Sequence, residues 1–177
     1  MNELTHFSSA GRARMVDVSE KSGTQRIAIA RGVLRMQPET LLRIQTGKIA
    51  KGDVLTVADV AAVMAAKRTA ELIPMCHTLP LTGIEVSYHE MTEPDADGCV
   101  GLEATVTVKC MGQTGVEMEA LCAVSIALLT VYDMCKAIDK GMYIAYVRLE
   151  EKRGGKNGNW RREELQHHKT SAPKERT

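Results

Sequence analysis

An aspartate and a lysine lie three residues apart in the segment YDMCKAID, at Asp133 and Lys136. Residues three apart on a helix share a face, so the carboxylate and the ammonium are close enough to pair. On an open surface such a pair contributes only a few tenths of a kcal/mol. Here the neighbours are mostly Leu, Val, Met and Ile, and burial among them predicts a lowered pKa for Lys136. A pair tuned in this way is typical of general acid/base catalysis.

A third candidate for the same chemistry is Lys51, in the loop segment AKGDV between two predicted helices. A single loop lysine is usually just solvated. The functional alternative is a mobile ammonium, next to Gly52, that closes over an anionic substrate.

A proline-bounded loop presents Met75, Cys76 and His77 after the segment KRTAELIP. His77 is more constrained there than a surface histidine and could carry a proton near neutral pH. Adjacent Cys76 and His77 also suggest zinc, but no second ligand pair follows at zinc spacing. We therefore predict no metal site.

Two acids, Glu117 and Glu119, flank Met118 in the segment GVEMEA. They can simply complement the dipole at the start of a helix. Two residues apart, they point to different sides of that helix, so at most one is expected to share a pocket with any given group.

Gly115 to Asp139 reads as one long helix that is apolar on nearly all sides, without a charge between Ala120 and Tyr132. Such a helix must be covered by its own domain and, we expect, by another subunit. Glu119 and Asp133 lie roughly 21 Å apart along its axis, too far for one compact centre. Three explanations of this separation stay open. The substrate could be long, the two ends could serve different pockets, or a neighbouring subunit could complete each site.

The remaining pattern predicts the order β, helical, β, β, helix, β. This is an α+β, ferredoxin-like fold with a four-stranded antiparallel sheet and helices packed on one face. The predicted elements are strands at Thr24–Met36, Leu81–Met91, Cys99–Met111 and Met142–Glu151, a short helix from Pro38 to Gly47, and a helix from Thr56 to Ile73 with Asp59 in an acidic capping box.

We divide the chain into an N-terminal arm (1–23), the ferredoxin-like domain (24–153) and a polar, basic tail (154–177). The arm contains a strand-like piece, Arg14–Val18, that could pair at a sheet edge. The tail has no apolar period and is predicted to be disordered.

The amino-acid composition limits the classes of partner that we expect the protein to bind. A net charge of +1 gives no electrostatic case for nucleic acid or an anionic membrane, and 3% aromatic residues leave little for base stacking. Five scattered cysteines are typical of reduced thiols, and no apolar signal segment begins the sequence. We expect a cytoplasmic protein without nucleic-acid or membrane partners.

Three segments, IPMCHTLPL, TGVEMEALCAVSIALLTVYDMCKAID and VRLEEKRGGKNG, closely resemble the cyclic pyranopterin monophosphate synthase family (molybdenum cofactor biosynthesis protein C). MVDVS and KGDVL fit the same family, so the resemblance covers roughly residues 4–158, essentially the whole folded part. The family usually has proline where this chain has Thr78, which alters the stiffness of that loop.

The resemblance implies a ferredoxin-like subunit in a homohexamer, a trimer of dimers with active sites between subunits. It implies conversion of 3′,8-cyclo-7,8-dihydroguanosine 5′-triphosphate to cyclic pyranopterin monophosphate, with loss of diphosphate. No cofactor is required, although Mg²⁺ could accompany the triphosphate.

The resemblance also implies roles for individual residues. Asp133 corresponds to the catalytic acid/base, with Lys51 and Lys136 as essential lysines. The residues that match substrate-binding or pocket-lining positions are Met75, Cys76, His77, Glu117, Met118, Glu119 and Lys152.

Expelling diphosphate needs cations on the triphosphate, for which the candidates are Lys51, Lys67, Arg68 and Lys152. We further expect each site to draw Lys51 and Asp133 from different chains. Two other functions stay open: a non-catalytic nucleotide-binding module, which would not need the Asp133/Lys136 pair, and an RNA-binding sheet.

Overall fold

One antiparallel sheet carries the helices on one face in the computed structural model, which describes residue 12 and residues 15–20, 22–156 and 158–163. The strands are β1 (Thr24–Met36), β2 (Leu81–Met91), β3 (Val100–Gly112), β4 (Tyr143–Arg153) and β5 (Trp160–Arg161). The helices are α1 (Pro38–Gln45), α2 (Val54–Lys67), α3 (Thr69–Leu72) and α4 (Glu117–Cys135).

The sheet has the order β2-β3-β1-β4-β5. The predicted α+β, ferredoxin-like class is confirmed, but the sheet has five strands and the predicted four was wrong. The extra strand is Trp160–Arg161, which pairs with Glu151 and Lys152 after a glycine-rich reversal. A two-residue strand has no apolar period, so the pattern of the sequence could not reveal it. The rest of the predicted tail, from residue 164, lies outside the described residues.

Small residues let α4 lie close to the middle of the sheet. Ala28 and Ala30 on β1 and Ala104 on β3 are fully buried on the helix-facing side. A Cβ at Gly32 would come within 2.7 Å of Val124 Cγ1 and 2.9 Å of Leu128 Cδ1. The helix therefore depends on the absence of a side chain at this one position of β1.

The long helix is shorter than predicted, and part of its surface is exposed in the single chain. It runs from Glu117 to Cys135 rather than from Gly115 to Asp139, and Leu129 on its outer side is 50% exposed. By length and composition alone α4 is apolar enough to cross a membrane, but 56% of its apolar stretch is buried inside the fold. Packing against the sheet and α2 covers the buried part of the helix, and cover of the exposed part by another subunit stays a prediction.

The second predicted helix is two helices. α2 begins at Val54 because Asp53 caps it: Asp53 Oδ1 accepts hydrogen bonds from the amides of Leu55 and Thr56, both at 3.1 Å. The predicted start at Thr56 was therefore wrong. α2 ends at Lys67, and α3 continues from Thr69 to Leu72.

α2 and α4 pack against each other in antiparallel directions. Lys51, just before α2, contacts Asp133 near the C-terminal end of α4. The Cys76 thiol, after α3, lies within electrostatic range of Glu119 at the N-terminal end of α4. The helix pair thus separates the candidate residues into two groups.

The strand-like piece of the N-terminal arm, which could have paired at a sheet edge, forms no strand over its described residues. Residues 15–18 have no regular structure, although the Val16 carbonyl oxygen lies 2.9 Å from His77 Nε2. Arg14 and most of the arm lie outside the described residues.

Candidate active site

Two lysines converge on Asp133 in the last turn of α4. Lys51 Nζ lies 3.0 Å from Asp133 Oδ2 and donates to the Asp133 carbonyl at 2.8 Å. Lys136 Nζ lies 2.5 Å from Asp133 Oδ1. We call Lys51, Asp133 and Lys136 the lysine–aspartate cluster.

The electrostatics of this cluster differ from the sequence prediction. The side chains of Asp133 and Lys136 are 57% and 53% exposed, because they extend beyond the last turn of the helix. The hydrogen bond from Lys136 and that from Lys51 hold the pKa of Asp133 below its ordinary value. The same carboxylate raises the pKa of Lys136, so the predicted lowering was wrong. Attraction outweighs desolvation here, and the resting cluster is a carboxylate between two cations.

Lys51 and Asp133 meet within a single chain. Our expectation that each site takes these two residues from different chains was therefore wrong. α2 and α4 are antiparallel neighbours in the same core, so the loop before α2 reaches the end of α4 without a second subunit.

The other predicted residues gather near the opposite end of α4. Glu117 is partly exposed and accepts a hydrogen bond from Lys152 Nζ at 2.8 Å. Glu119 is only 4% exposed, and its burial, reinforced by the charge of Glu117, raises its pKa. The two acids point into different environments, as their spacing predicted. Met118, between them, is 37% exposed.

The proline-bounded loop lies against this end of the helix. Burial raises the pKa of the Cys76 thiol, and the charges of Glu119 and Cys122 act in the same direction. Cys76 is therefore a protonated thiol rather than a nucleophile near neutral pH. His77 and Thr78 line a cavity beside it. Within the described part of the chain, no three His, Cys, Asp or Glu side chains are arranged to hold a metal ion.

Two adjoining cavities open at this end of the molecule, and we refer to them together as the cleft. The larger, about 530 Å³, is lined by Ser22, Thr24, Arg26, Ile27, Gln113, Thr114, Gly115, Glu117, Lys152, Arg153, Gly154, Gly155 and Lys156. The smaller, about 330 Å³, is lined by Val18, Gly23, His77, Thr78, Leu79, Pro80, Met111, Gly112, Gln113 and Thr114. Gln113 and Thr114 belong to both. Their volumes match those of small-molecule sites, roughly 300–1,000 Å³.

Some cleft residues escaped the sequence analysis. Arg26 was hidden in the alternating pattern of β1, where an arginine is ordinarily a solvated side chain. Gly154, Gly155 and Lys156 fell in the segment assigned to the tail. The consecutive glycines were a usable signal, since Gly154 and Gly155 both adopt positive φ (93° and 85°), which only glycine adopts readily.

The cleft and the lysine–aspartate cluster are far apart within one chain. Glu117 and Asp133 are sixteen residues apart on α4, which corresponds to about 24 Å along the axis. A single chain therefore presents acid/base chemistry near one end of α4 and a polar cleft near the other.

The sequence model of the MoaC family matches residues 15–155. A protein from Chloroflexus aurantiacus named cyclic pyranopterin monophosphate synthase is 60% identical over 161 residues, 91% of this chain and 96% of the relative. Proteins of the same name from Thermomicrobium roseum and Brevibacillus brevis are 56% and 58% identical. Those matches cover 93% and 92% of this chain, and 96% and 98% of the relatives.

The match includes the lysine–aspartate cluster and every cleft-lining residue except Lys156, from the arm before β1 to the glycines after β4. Relatives this similar over nearly their whole length are named as synthases, so the chain is an enzyme. The match supports a role in molybdenum cofactor biosynthesis, as the sequence resemblance implied. The chain belongs to the MoaC family.

Proposed function

We propose that this enzyme converts 3′,8-cyclo-7,8-dihydroguanosine 5′-triphosphate to cyclic pyranopterin monophosphate and releases diphosphate. The observation that carries the proposal is the lysine–aspartate cluster, in which two ammonium groups hold one carboxylate at 3.0 Å and 2.5 Å. The name shared by the relatives supports the same reaction.

The cluster suits a rearrangement that moves several protons. Asp133 is ionised at rest, because its pKa is held low, so it can accept a proton from the substrate. Lys51 and Lys136 are protonated donors beside it and can stabilise negative charge as it develops on phosphate oxygens. Proton return from a lysine to the rearranged ring would complete the cycle without a redox cofactor.

The distance between the lysine–aspartate cluster and the cleft within one chain supports an active site built from more than one chain. We propose that the cleft of one subunit faces the lysine–aspartate cluster of another, within a homohexamer arranged as a trimer of dimers. The exposed cluster would lose water in such an interface, which would offset the raised pKa of Lys136. The proposed substrate-binding residues are Met75, Cys76, His77, Glu117, Met118, Glu119 and Lys152. Of these, His77, Glu117 and Lys152 line the cleft.

Mg²⁺ would be a companion of the triphosphate or diphosphate rather than a resident metal. We further propose a cytoplasmic location without nucleic-acid or membrane partners. All five cysteines are free thiols, which fits a reducing compartment.

The direct test is incubation of the purified protein with the cyclised GTP derivative and measurement of released diphosphate and of the pterin product. Asp133→Asn removes the proton acceptor but keeps the size of the side chain. We expect turnover to fall by about 10²- to 10⁴-fold, the usual contribution of a general acid/base residue.

Binding and assembly of Asp133→Asn provide the control, measured by calorimetry with the intact substrate and by size-exclusion chromatography. Both should stay close to wild type, since the side chain is exposed in the single chain. Full turnover by the Asn variant would rule out the catalytic assignment. Binding without turnover in the wild type would instead favour the non-catalytic nucleotide-binding module.

A further inference from the structure

The histidine of the proline-bounded loop is hydrogen-bonded to the backbone of the N-terminal arm. His77 Nε2 lies 2.9 Å from the carbonyl oxygen of Val16, which is 61 residues away in the chain. A carbonyl oxygen can only accept a hydrogen bond, so Nε2 must carry the proton. In a neutral imidazole the other nitrogen, Nδ1, is then the acceptor. The contact with Val16 therefore selects the tautomer of His77.

The part of the arm that supplies this carbonyl is residues 15–20, which we call the arm segment. Val16 and Val18 are half-buried, whereas Met15 and Asp17 are exposed. Val18 lines the smaller cavity of the cleft together with His77. The arm segment thus contributes to the wall of this cavity, next to the histidine that it bonds.

A tight turn fixes the course of the arm segment immediately after Val16. Asp17 Oδ1 accepts hydrogen bonds from the Ser19 hydroxyl at 2.6 Å and from the Ser19 amide at 2.9 Å. An aspartate that bonds the backbone two residues further on forms an Asx turn. The bond from the hydroxyl, and after it the bond from the amide, hold the pKa of Asp17 below its ordinary value, and attraction to His77 acts in the same direction. The turn therefore lies beside the imidazole and restrains the carbonyl that Nε2 contacts.

The second ring nitrogen of His77 is left for a ligand. Nδ1 has no hydrogen-bond partner in the part of the chain that the structure describes, and the residue lines the smaller cavity. When Nδ1 accepts a hydrogen bond or a proton, the imidazole gains positive character, and its bond from Nε2 to the carbonyl strengthens. A fixed carbonyl on one nitrogen thus makes the other nitrogen a better acceptor.

We propose that the arm segment is a positioning element of the active site: the Val16 carbonyl holds His77 as the Nε2–H tautomer and leaves Nδ1 as the acceptor that meets the substrate. The Asx turn of Asp17 is the device that keeps this carbonyl in place. This inference rests on the proposed function, since it deepens the role of one of the proposed substrate-binding residues.

The tautomer is the first test, because it does not depend on turnover. Solid-state ¹⁵N NMR of the full-length protein, labelled at its five histidines, distinguishes a protonated ring nitrogen from a bare one. The spectrum of His77→Gln assigns the His77 signals by difference. At about pH 8, where ordinary histidines are neutral, we expect His77 to be entirely in the Nε2–H form. A protonated Nδ1 with a bare Nε2 would overturn the inference, whatever the turnover.

Asp17→Ala removes the Asx turn and releases the Val16 carbonyl. The His77 signals should then become a mixture of both tautomers. The kcat for the cyclised GTP derivative should fall about 10- to 100-fold, the effect of a small misplacement within an active site. Asp17→Asn keeps a side-chain oxygen that accepts from Ser19, so it should retain the wild-type tautomer and most of the turnover.

Glu20→Ala is the matched control, because it removes an exposed acid from the same arm segment. It should leave both the His77 tautomer and the turnover unchanged. Equal losses in Glu20→Ala and Asp17→Ala would assign the effect to the charge of the arm and overturn the inference. Equal losses in Asp17→Asn and Asp17→Ala would do the same.

A wild-type spectrum and full turnover in Asp17→Ala would also overturn the positioning role of the arm segment. The expected tautomers in wild type and both Asp17 variants, in a protein that does not turn over the cyclised GTP derivative, would have a different meaning. They would support the contact between the arm segment and His77 and refute the proposed reaction.

Discussion

Asp133 and Glu119 are two acids on one helix with opposite environments. Asp133 is exposed and lies between two ammonium groups, which hold its pKa low. Glu119 is 4% exposed and has no ion pair among the described residues, and its burial raises its pKa. One acid is therefore a ready proton acceptor, whereas the other retains its proton to higher pH and can donate a hydrogen bond.

Glu119→Gln should make the free energy of unfolding less dependent on pH. The folded protein holds the Glu119 proton above the ordinary pKa of 4.5, so stability declines as pH rises from that value toward the raised one. Glutamine does not titrate and removes this decline. Groups that face Glu119 and stay unchanged are Glu117, Cys76, Cys110 and Cys122.

Urea unfolding of both proteins at about pH 5 and about pH 8 measures the effect. The variant should gain stability relative to wild type at the higher pH, while its affinity for the substrate falls. A variant less stable than wild type at the higher pH would contradict the assigned environment of Glu119.

At this scale, sequence reasoning succeeds where partners are close in the chain. Asp133 and Lys136 are three residues apart, and their pairing follows from helix geometry alone. Lys51 is 82 residues from Asp133, and only the packing of α2 on α4 brings it there. The predicted direction of the Lys136 pKa shift was wrong because apolar neighbours in sequence do not cover a side chain that extends past a helix end.

Among the elements, α1 begins with a cap supplied from far away in the chain. Gln37 precedes α1 and gives no side-chain cap. Instead Asp139 Oδ2, just after α4, accepts hydrogen bonds from the Gln37 amide at 2.9 Å and the Thr40 hydroxyl at 3.1 Å. Asp139 Oδ1 accepts from the Gly141 amide at 3.0 Å. One buried carboxylate therefore fixes α1, the end of α4 and the start of β4 relative to one another.

Asp139→Ala should lower the free energy of unfolding by about 2–3 kcal/mol, because it leaves buried donors without acceptors. Asp139→Asn keeps one oxygen acceptor and a similar volume, so its loss should be smaller. Urea denaturation with a shared slope for the three proteins provides the comparison. An unchanged midpoint in the alanine variant would show that water replaces the carboxylate at little cost.

The elements themselves were largely predictable, because their apolar periods are long. Strands β1 and β2 have the predicted bounds, and β3 and β4 differ by one or two residues. The start of α2 was misplaced because Asp53 and Thr56 are both good capping residues and the sequence alone does not choose between them. The cap from Asp139 was not predictable, since it depends on contacts across about a hundred residues of chain.

For the molecule as a whole, the antiparallel packing of α2 and α4 places the chemistry at two poles. The lysine–aspartate cluster lies at one pole, and the cleft lies at the other. Any single active centre that uses both poles therefore needs two copies of the chain.

Mixing two inactive variants tests this arrangement. Asp133→Asn damages the cluster and Lys152→Ala damages the cleft, so a mixed pair of subunits has one site with both defects and one intact site. After random subunit exchange we expect roughly a quarter of wild-type activity. The yield of diphosphate from the cyclised GTP derivative is the measurement.

Lys51→Ala mixed with Asp133→Asn is the matched control. Both substitutions damage the same cluster of their own chain, so no mixed pair has an intact site and activity should stay absent. Recovery in this control, or its absence with Lys152→Ala after verified exchange, would refute sites shared between cleft and cluster.

The overall topology was predictable from the order of the elements, since helical and strand periods alternate clearly. The fifth strand and the cleft were not, because they depend on a glycine reversal and on Arg26, whose contacts join segments far apart in the chain. The division of residues between subunits was misjudged for the same reason: Lys51 and Asp133 are distant in sequence but adjacent in the core.

Trp160 is the only tryptophan of the chain, and β5 places it opposite Lys152 of the cleft. Its side chain is 41% exposed, and the Arg162 guanidinium lies 5.6 Å from the ring centroid. Indole emission therefore arises from one known position, a single strand away from Lys152. The native enzyme thus contains its own fluorophore on the strand next to Lys152, and we expect its emission to report ligand binding in the cleft without labels or radioactive nucleotides.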